Sequence, residues 1–293
     1  MIATQLGRLA AQGIALGCEA TVIGTTSRGI FLARDQRVLF TSFERWRGPW
    51  TINVDRPFVC ANGDSVRLSP TRLIFPALEV DLSTAAVWQP AAPTVTRSRV
   101  EQREALKQLA SSVLARKAPD GFGVLLPHLL DLPEKQALAA SEAALLARLN
   151  ELRESIHHAD FDQAAELIES LLGLGRGLTP SGDDVTIGVL LGLKRWRAHP
   201  ERNGVESKDA CHLAQAAFTQ RVVESAYHRT TTLSANLIEC AANGEADERL
   251  ITIITGLTTG TPSIAECTEC ALSWGHSSGV DALIGLALTL TAV

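Results

Sequence analysis

Pro90-Ala91-Ala92-Pro93 divides the sequence into two stretches that follow different periods. Two prolines within four residues continue neither a sheet ladder nor a helix, so the segment reads as a linker. Before it, Gly29-Ile30-Phe31-Leu32 and Val38-Leu39-Phe40 flank the polar Arg34-Asp35-Gln36-Arg37, as the strands of a hairpin flank their turn. Asn62-Gly63 stands between Phe58-Val59-Cys60 and Val66-Arg67-Leu68. Asn-Gly supplies the positive φ angles of a two-residue turn, so a second hairpin is predicted there. Leu78, Val80 and Leu82 alternate with Glu79 and Asp81, as on a strand with one buried face. Trp46, Trp50 and Trp88 also fall in this stretch.

After the linker the period becomes helical. Leu138, Leu145, Leu149, Leu152 and Ile156 share one helix face, and Pro133 is expected to open that helix. The pattern predicts helices over 97–117, 138–156, 161–172, 182–196, 207–227, 232–242, 246–257, 264–274 and 279–290. The expected fold class is therefore α+β. A β-rich, barrel-like domain over 1–95 is followed by a larger all-α domain over 96–293, whose short helices pack as a globular cluster.

Composition narrows the function. The 293 residues are 46% hydrophobic and 20% charged, which suits a globular chain with a sizeable core. Lys plus Arg number 27 against 32 Asp plus Glu, for a net charge of −5. No basic excess is available for a phosphate backbone, so general nucleic-acid binding is not expected. The apolar tail 282–293 is too short to span a bilayer. Arg8 and Gln12 interrupt the stretch that ends in Leu16-Gly17-Cys18, which argues against a lipoprotein signal. Six cysteines in this length form no disulfide framework. Cys267 and Cys270 read as buried reduced thiols on a helix, and a cytoplasmic location is expected. His128, His199 and His212 have no partner identifiable in the sequence.

The most unusual segment is Gly173-Leu174-Gly175-Arg176-Gly177-Leu178-Thr179-Pro180-Ser181-Gly182-Asp183-Asp184. Its alternate glycines allow the backbone close to a ligand, and the helix that follows opens with a positive dipole end suited to an anion. Arg176 adds a fixed charge. The pattern is neither GxGxxG nor GxxxxGK[ST], so no nucleotide fingerprint is assigned. Two readings of the end of the segment stand. Ser181 and Asp184 have the spacing of a capping box. Alternatively, the adjacent Asp183 and Asp184 serve a metal or a substrate amine.

The spacing Ser181-Gly182-x-Asp184-x-x-x-Gly188 recurs as Ser278-Gly279-x-Asp281-x-x-x-Gly285. Each copy opens an apolar helix, and each late glycine allows another helix to approach. The two helices are expected to cross at these glycines and bring their starts to one pocket, with Asp183, Asp184 and Asp281 inside and His276 nearby. A third polar helix start, His228-Arg229-Thr230-Thr231-Thr232-Leu233-Ser234, suits a phosphate or carboxylate or is simply a cap.

Gly-x-Gly-x-Gly-Leu-Thr-Pro-Ser-Gly-Asp-Asp resembles the signature of the family typified by the AllH subunit of oxamate carbamoyltransferase. Ser277-Ser278-Gly279-x-Asp281 and Thr231-x-x-Ser234-x-x-Leu237 are similar to other parts of that pattern. Arg176 departs from it, at a position where proline is frequent. The resemblance implies a subunit of a multi-subunit enzyme of allantoin (purine) breakdown, with an FdrA-like subunit among its partners. That enzyme exchanges a carbamoyl group between oxalurate plus phosphate and oxamate plus carbamoyl phosphate.

On that reading Gly175, Gly177, Thr179, Ser181, Gly182, Ser278 and Gly279, with Arg229 and Thr230, would cradle phosphate. Arg176 would hold a carboxylate. His276 would polarise the carbonyl or move a proton, and Asp183 and Asp184 would orient the amide nitrogen or hold Mg²⁺. Two rival expectations are a metal-dependent amide or ureido hydrolase, using Asp183, Asp184 and Asp281 as ligands, and a non-catalytic ligand-binding or structural subunit.

Overall fold

The computed structural model describes residues 1–15, 17–118, 120–196 and 205–291. His199 lies outside them. These residues form two compact units: Met1–Ala91 with Glu245–Glu248, and Ala92–Gly244 with Arg249–Val293.

The first unit is a curled nine-stranded sheet. Its strands are β1 (Ala3–Gly7), β2 (Cys18–Thr26), β3 (Gly29–Arg34), β4 (Arg37–Ser42), β5 (Thr51–Val54), β6 (Ser65–Ser69), β7 (Arg72–Ile74), β8 (Glu79–Asp81) and β9 (Ala86–Trp88). They run in the order β8-β7-β6-β2-β3-β4-β5-β1-β9. A bridge from Ile2 to Asp81 brings β8 round beside the start of β1, so the sheet curls towards a barrel. Alternation gives the sheet one buried face. Leu32, Leu39, Ile52, Val66, Leu73 and Val80, one from each of six strands, are buried in a common core. The helix α1 (Arg8–Ile14) adds Ala10 and Ile14 to that core.

The β3–β4 hairpin forms as the sequence suggests, with Asp35 at φ 52° in its turn. The hairpin expected at Asn62-Gly63 does not form. Phe58, Val59 and Cys60 are not a strand, and β6 pairs with β2 and β7. The turn is instead captured by β2, because Gly63 N–H donates to the Val22 carbonyl at 2.8 Å and Val22 N–H to Asp64 O at 2.9 Å. Phe58 packs between the rings of Phe43 and Phe75.

Among the described residues, the regular elements of the second unit are all helical: α2 (Arg99–Arg116), a 3-10 turn at Gly123–Leu125, α3 (Leu126–Leu130), α4 (Ala140–His158), α5 (Phe161–Glu169), α6 (Ser181–Trp196), α7 (Val205–Arg229), α8 (Thr232–Ala242), α9 from Glu248 to Thr259, α10 (Ile264–Ser273) and α11 (Ser278–Thr291). Ser98 and Glu101 form a capping box at α2. Pro133 does not open α4; that helix starts at Ala140, where the Glu142 carboxylate accepts the Ala139 N–H at 2.7 Å. Cys267 and Cys270 are buried on α10, and burial pushes the Cys267 thiol up to about 12.

Two helices sit at the centre. Every residue of α6 from Ser181 to Leu193 is buried, as is every residue of α11 from Ser278 to Leu290. A helix apolar on all sides belongs inside a core. They cross as the repeated spacing predicts. A β-carbon at Gly188 would lie 2.1 Å from the Ala282 carbonyl oxygen, and one at Gly285 would lie 2.1 Å from Val185 O and 2.6 Å from Val189 N. Only glycine permits backbones this close.

Candidate functional site

The chain leaves α5, loops through 170–180 and enters α6. Gly173, Gly175 and Gly177 have φ of +75°, +126° and +96°, a region that side chains with a β-carbon disfavour. The alternate glycines therefore set the path of the loop. At Gly175 the backbone presses on Ser181 N, where a β-carbon would lie at 2.6 Å, whereas at Gly177 it would meet nothing within 4 Å. Arg176 sits at this open apex and is exposed, with Leu174 and Leu178 exposed on either side.

Both ends of the loop are tied to the junction of α7 and α8. Asp183 accepts the Gly173 N–H at 2.8 Å through Oδ1 and the Thr230 hydroxyl through Oδ2. The Thr231 and Ser234 hydroxyls donate to the Leu178 carbonyl at 2.8 and 3.4 Å. Gly173 lies against the Arg229 carbonyl. Arg229 itself is exposed, and its charge joins the Arg221 hydrogen bond and that of Ser225 in holding Glu169 below its usual range.

The two helix starts are built alike. Gly182 N–H donates to Leu174 O at 2.9 Å, and Asp183 N–H and Asp184 N–H both donate to Pro180 O. Gly279 N–H donates to Trp274 O at 3.0 Å, and Val280 N–H and Asp281 N–H both donate to Ser277 O. Gly182 and Gly279 also pack on the preceding segment in the same way, with a built β-carbon 2.0 Å from Leu171 O and from Ala271 O. The amides of both glycines are thus engaged by carbonyls of their own loops. No Ser181–Asp184 capping box forms; the first turn of α6 is closed on Pro180, and each side chain faces across to the other helix.

That facing is reciprocal. The Ser181 hydroxyl stands beside Asp281, and the Ser278 hydroxyl beside Asp184, with Thr179 Oγ1 3.1 Å from Ser278 Oγ. Each helix thus offers its aspartate to the serine that begins its partner. Asp183, Asp184 and Asp281 are all fully buried. Burial pushes the Asp184 carboxyl well above its ordinary range, reinforced by Asp281 and Asp183 and opposed by the Ser278 and Thr179 hydroxyls. Burial raises Asp281 to about 6, against Ser181, the Phe122 N–H and Ser277. Burial also raises Asp183, opposed by Gly173, Thr230 and Ser234. The Phe122 N–H donates to Asp281 Oδ1 at 2.7 Å, but Asp184 Oδ1 and Oδ2 and Asp281 Oδ2 are buried with no hydrogen bond of good geometry.

The structure therefore brings Thr179, Ser181, Asp184, Ser278 and Asp281 together. Asp183 and Thr230 form a separate brace beneath the loop. Arg176 and Arg229 are at the surface. His276 is exposed and pairs at the surface with Asp120 at 2.7 Å. A shallow pocket lined by Leu114, Lys117, Asp120, Ser277 and Val280 shares that surface. Among the described residues, no group of three or more His, Cys, Asp or Glu side chains is placed to hold a metal, so the three-aspartate ligand set is not assembled. Gly121 and Phe122, which cover Asp281, carry no motif, and their contact spans 159 positions of sequence.

Residues 171–290, about two fifths of the chain, match the model of the family described as oxamate carbamoyltransferase subunit AllH. No curated protein and no solved structure matches the chain. The matched segment contains the glycine-rich loop, both crossing helices and the α7–α8 junction. On the residues that carry the motifs, the chain is similar to that family.

Proposed function

We propose that the chain is a subunit of a carbamoyltransferase acting on oxamate or oxalurate and carbamoyl phosphate in allantoin breakdown, in a complex with an FdrA-like and other unlike subunits. The observation that carries this reading is the family match over 171–290, the segment that holds the whole loop-and-crossing assembly.

Carbamoyl transfer needs no covalent enzyme intermediate. It needs the attacking nitrogen or phosphate oxygen held against the face of the carbamoyl carbon, from which the leaving group departs, and donors placed where charge develops on the carbonyl oxygen. The open apex at Arg176–Gly177 offers a fixed guanidinium and free approach to the backbone for a carboxylate or phosphate. Thr179, anchored by Ser278, stands where the loop enters the buried cluster. In this reading Arg176 holds an anionic end of the substrate, and the brace through Asp183 fixes the loop that carries it. His276, paired with Asp120 at the surface, is available to move a proton once a partner subunit encloses it. An open surface gives its charges to water, so enclosure by partner subunits supplies the low-dielectric setting that transfer requires.

The test is a carbamoyl-transfer assay on the purified chain and on the complex with its co-purified subunits. Turnover by the complex, little by the chain alone, and loss of turnover in Arg176→Ala complexes are expected. A complex with no transfer activity on these substrates overturns the reading.

A further inference from the structure

We propose that Asp184 and Asp281, with the hydroxyls of Thr179, Ser181 and Ser278, form a binding site for one hard divalent cation of the Mg²⁺ or Ca²⁺ class. Asp184 Oδ1 and Oδ2 and Asp281 Oδ2 are inaccessible to water, and although the Ser278, Thr179 and Ser181 hydroxyls stand beside these carboxyls, none of the three oxygens has a hydrogen bond of good geometry, which is costly in a core.

Among the described residues, no cationic side chain pairs with these carboxyls. The groups that act on Asp184 are Ser278, Thr179, Asp281 and Asp183, and those on Asp281 are Ser181, Phe122 N–H, Ser277 and Asp120. All of these except the amide are oxygen groups, and an all-oxygen surrounding is the donor set that hard cations take. Two carboxylates supply the charge that a divalent ion balances. The site is also sealed: a β-carbon at Gly121 would lie 2.5 Å from Asp281 Oδ2 and 2.7 Å from Ser181 Oγ, so the backbone closes directly over the acid. Asp183, whose oxygens are committed to Gly173 and Thr230, is not a ligand. An ion here would pin the two crossing helices at their starts and fix Thr179 at the foot of the loop. This inference does not depend on the carbamoyl-transfer reading.

The experiment is calorimetric titration of the chelator-treated full chain with Ca²⁺ and with Mg²⁺, alongside thermal melts. Saturation near one ion per chain is expected, with a melting point raised by several degrees. Asp184→Asn and Asp281→Asn are expected to weaken binding by about tenfold or more. If either Asn variant melts too low to titrate, Ser181→Ala and Ser278→Ala serve instead, each expected to weaken binding several-fold without unfolding the chain. No saturable binding at millimolar Ca²⁺ or Mg²⁺ overturns the proposal. So does binding left unchanged by the variants, or saturation by Na⁺ or K⁺ alone.

Discussion

The two helix starts share one plan and differ in one respect. Both place a glycine on a carbonyl of the preceding segment and close the first turn on the residue before the serine, and both send an aspartate to the opposite serine. The start of α11 follows a short turn, and its third position is the buried Val280. The start of α6 follows the longer glycine-rich loop, and its third position is Asp183, which reaches back to hold that loop. The shared plan is therefore the framework, and the loop with its brace is what one copy has gained. Function is expected to follow the difference, and stability the likeness.

The largest test of the likeness is at the crossing. Gly188→Ala and Gly285→Ala each drive a methyl group into backbone about 2.1 Å away, and neither helix has solvent to retreat into. Both are expected to cost about 3 kcal/mol or more, by similar amounts, measured by urea denaturation. A change that unfolds the chain at one glycine and is tolerated at the other would break the equivalence.

The next test uses pH. On folding, the Asp281 carboxyl rises from 3.8 to about 6. Between those values the native state holds more protons than the unfolded state, so stability from this group falls as pH rises through about 4 to 6 and is level above. A shift of about two units corresponds to about 3 kcal/mol. Asp281→Asn keeps an acceptor for the Phe122 N–H but cannot ionise. In chelator, the wild type is expected to lose stability relative to this variant across pH 4–6. A constant difference across that range would show that Asp281 does not titrate in the fold.

A smaller effect is expected at the brace, and it separates the two starts. Asp183→Ala strands the Gly173 N–H and the Thr230 hydroxyl, at a cost of about 1–3 kcal/mol, and frees the start of the loop. Val280→Ala, at the matching position, removes only apolar contact. Proteolysis within 173–178 should rise in the Asp183 variant and not in the Val280 variant.

These cases also mark how far the sequence reaches. The crossing was legible because a glycine at a fixed distance from each helix start is a local pattern with one geometric meaning. The β-rich first stretch was legible as alternation, yet the Asn62-Gly63 turn misled, because its partner is Val22 on a strand about forty residues earlier. The short helix at Arg8–Ile14 gave no signal among strands. At the site, Ser181 and Asp184 have capping-box spacing, and only the opposite helix, 97 positions away in the repeat, shows where they point. Nothing near Asp183 in sequence reveals Gly173 or Thr230 as its partners, and nothing marks Phe122 as the cover of Asp281.

The smallest expected effects belong to the paired serines, and they sharpen the comparison most finely. Ser181→Ala removes the hydroxyl beside Asp281, and Ser278→Ala removes the one beside Asp184 together with its 3.1 Å contact to Thr179. Neither serine closes its own helix turn through its side chain, so the loss is that of a buried hydrogen-bonding group and not of a cap. Each change is expected to cost about 1 kcal/mol. If the starts are equivalent in stability alone, the two melts coincide. The functional readout must then differ, because only Ser278 anchors Thr179 at the foot of the loop. In the assembled complex, Ser278→Ala is expected to lower carbamoyl transfer more than Ser181→Ala does at equal stability. The reverse order would place the working end of the assembly at Asp281, and the glycine-rich loop would then be its support.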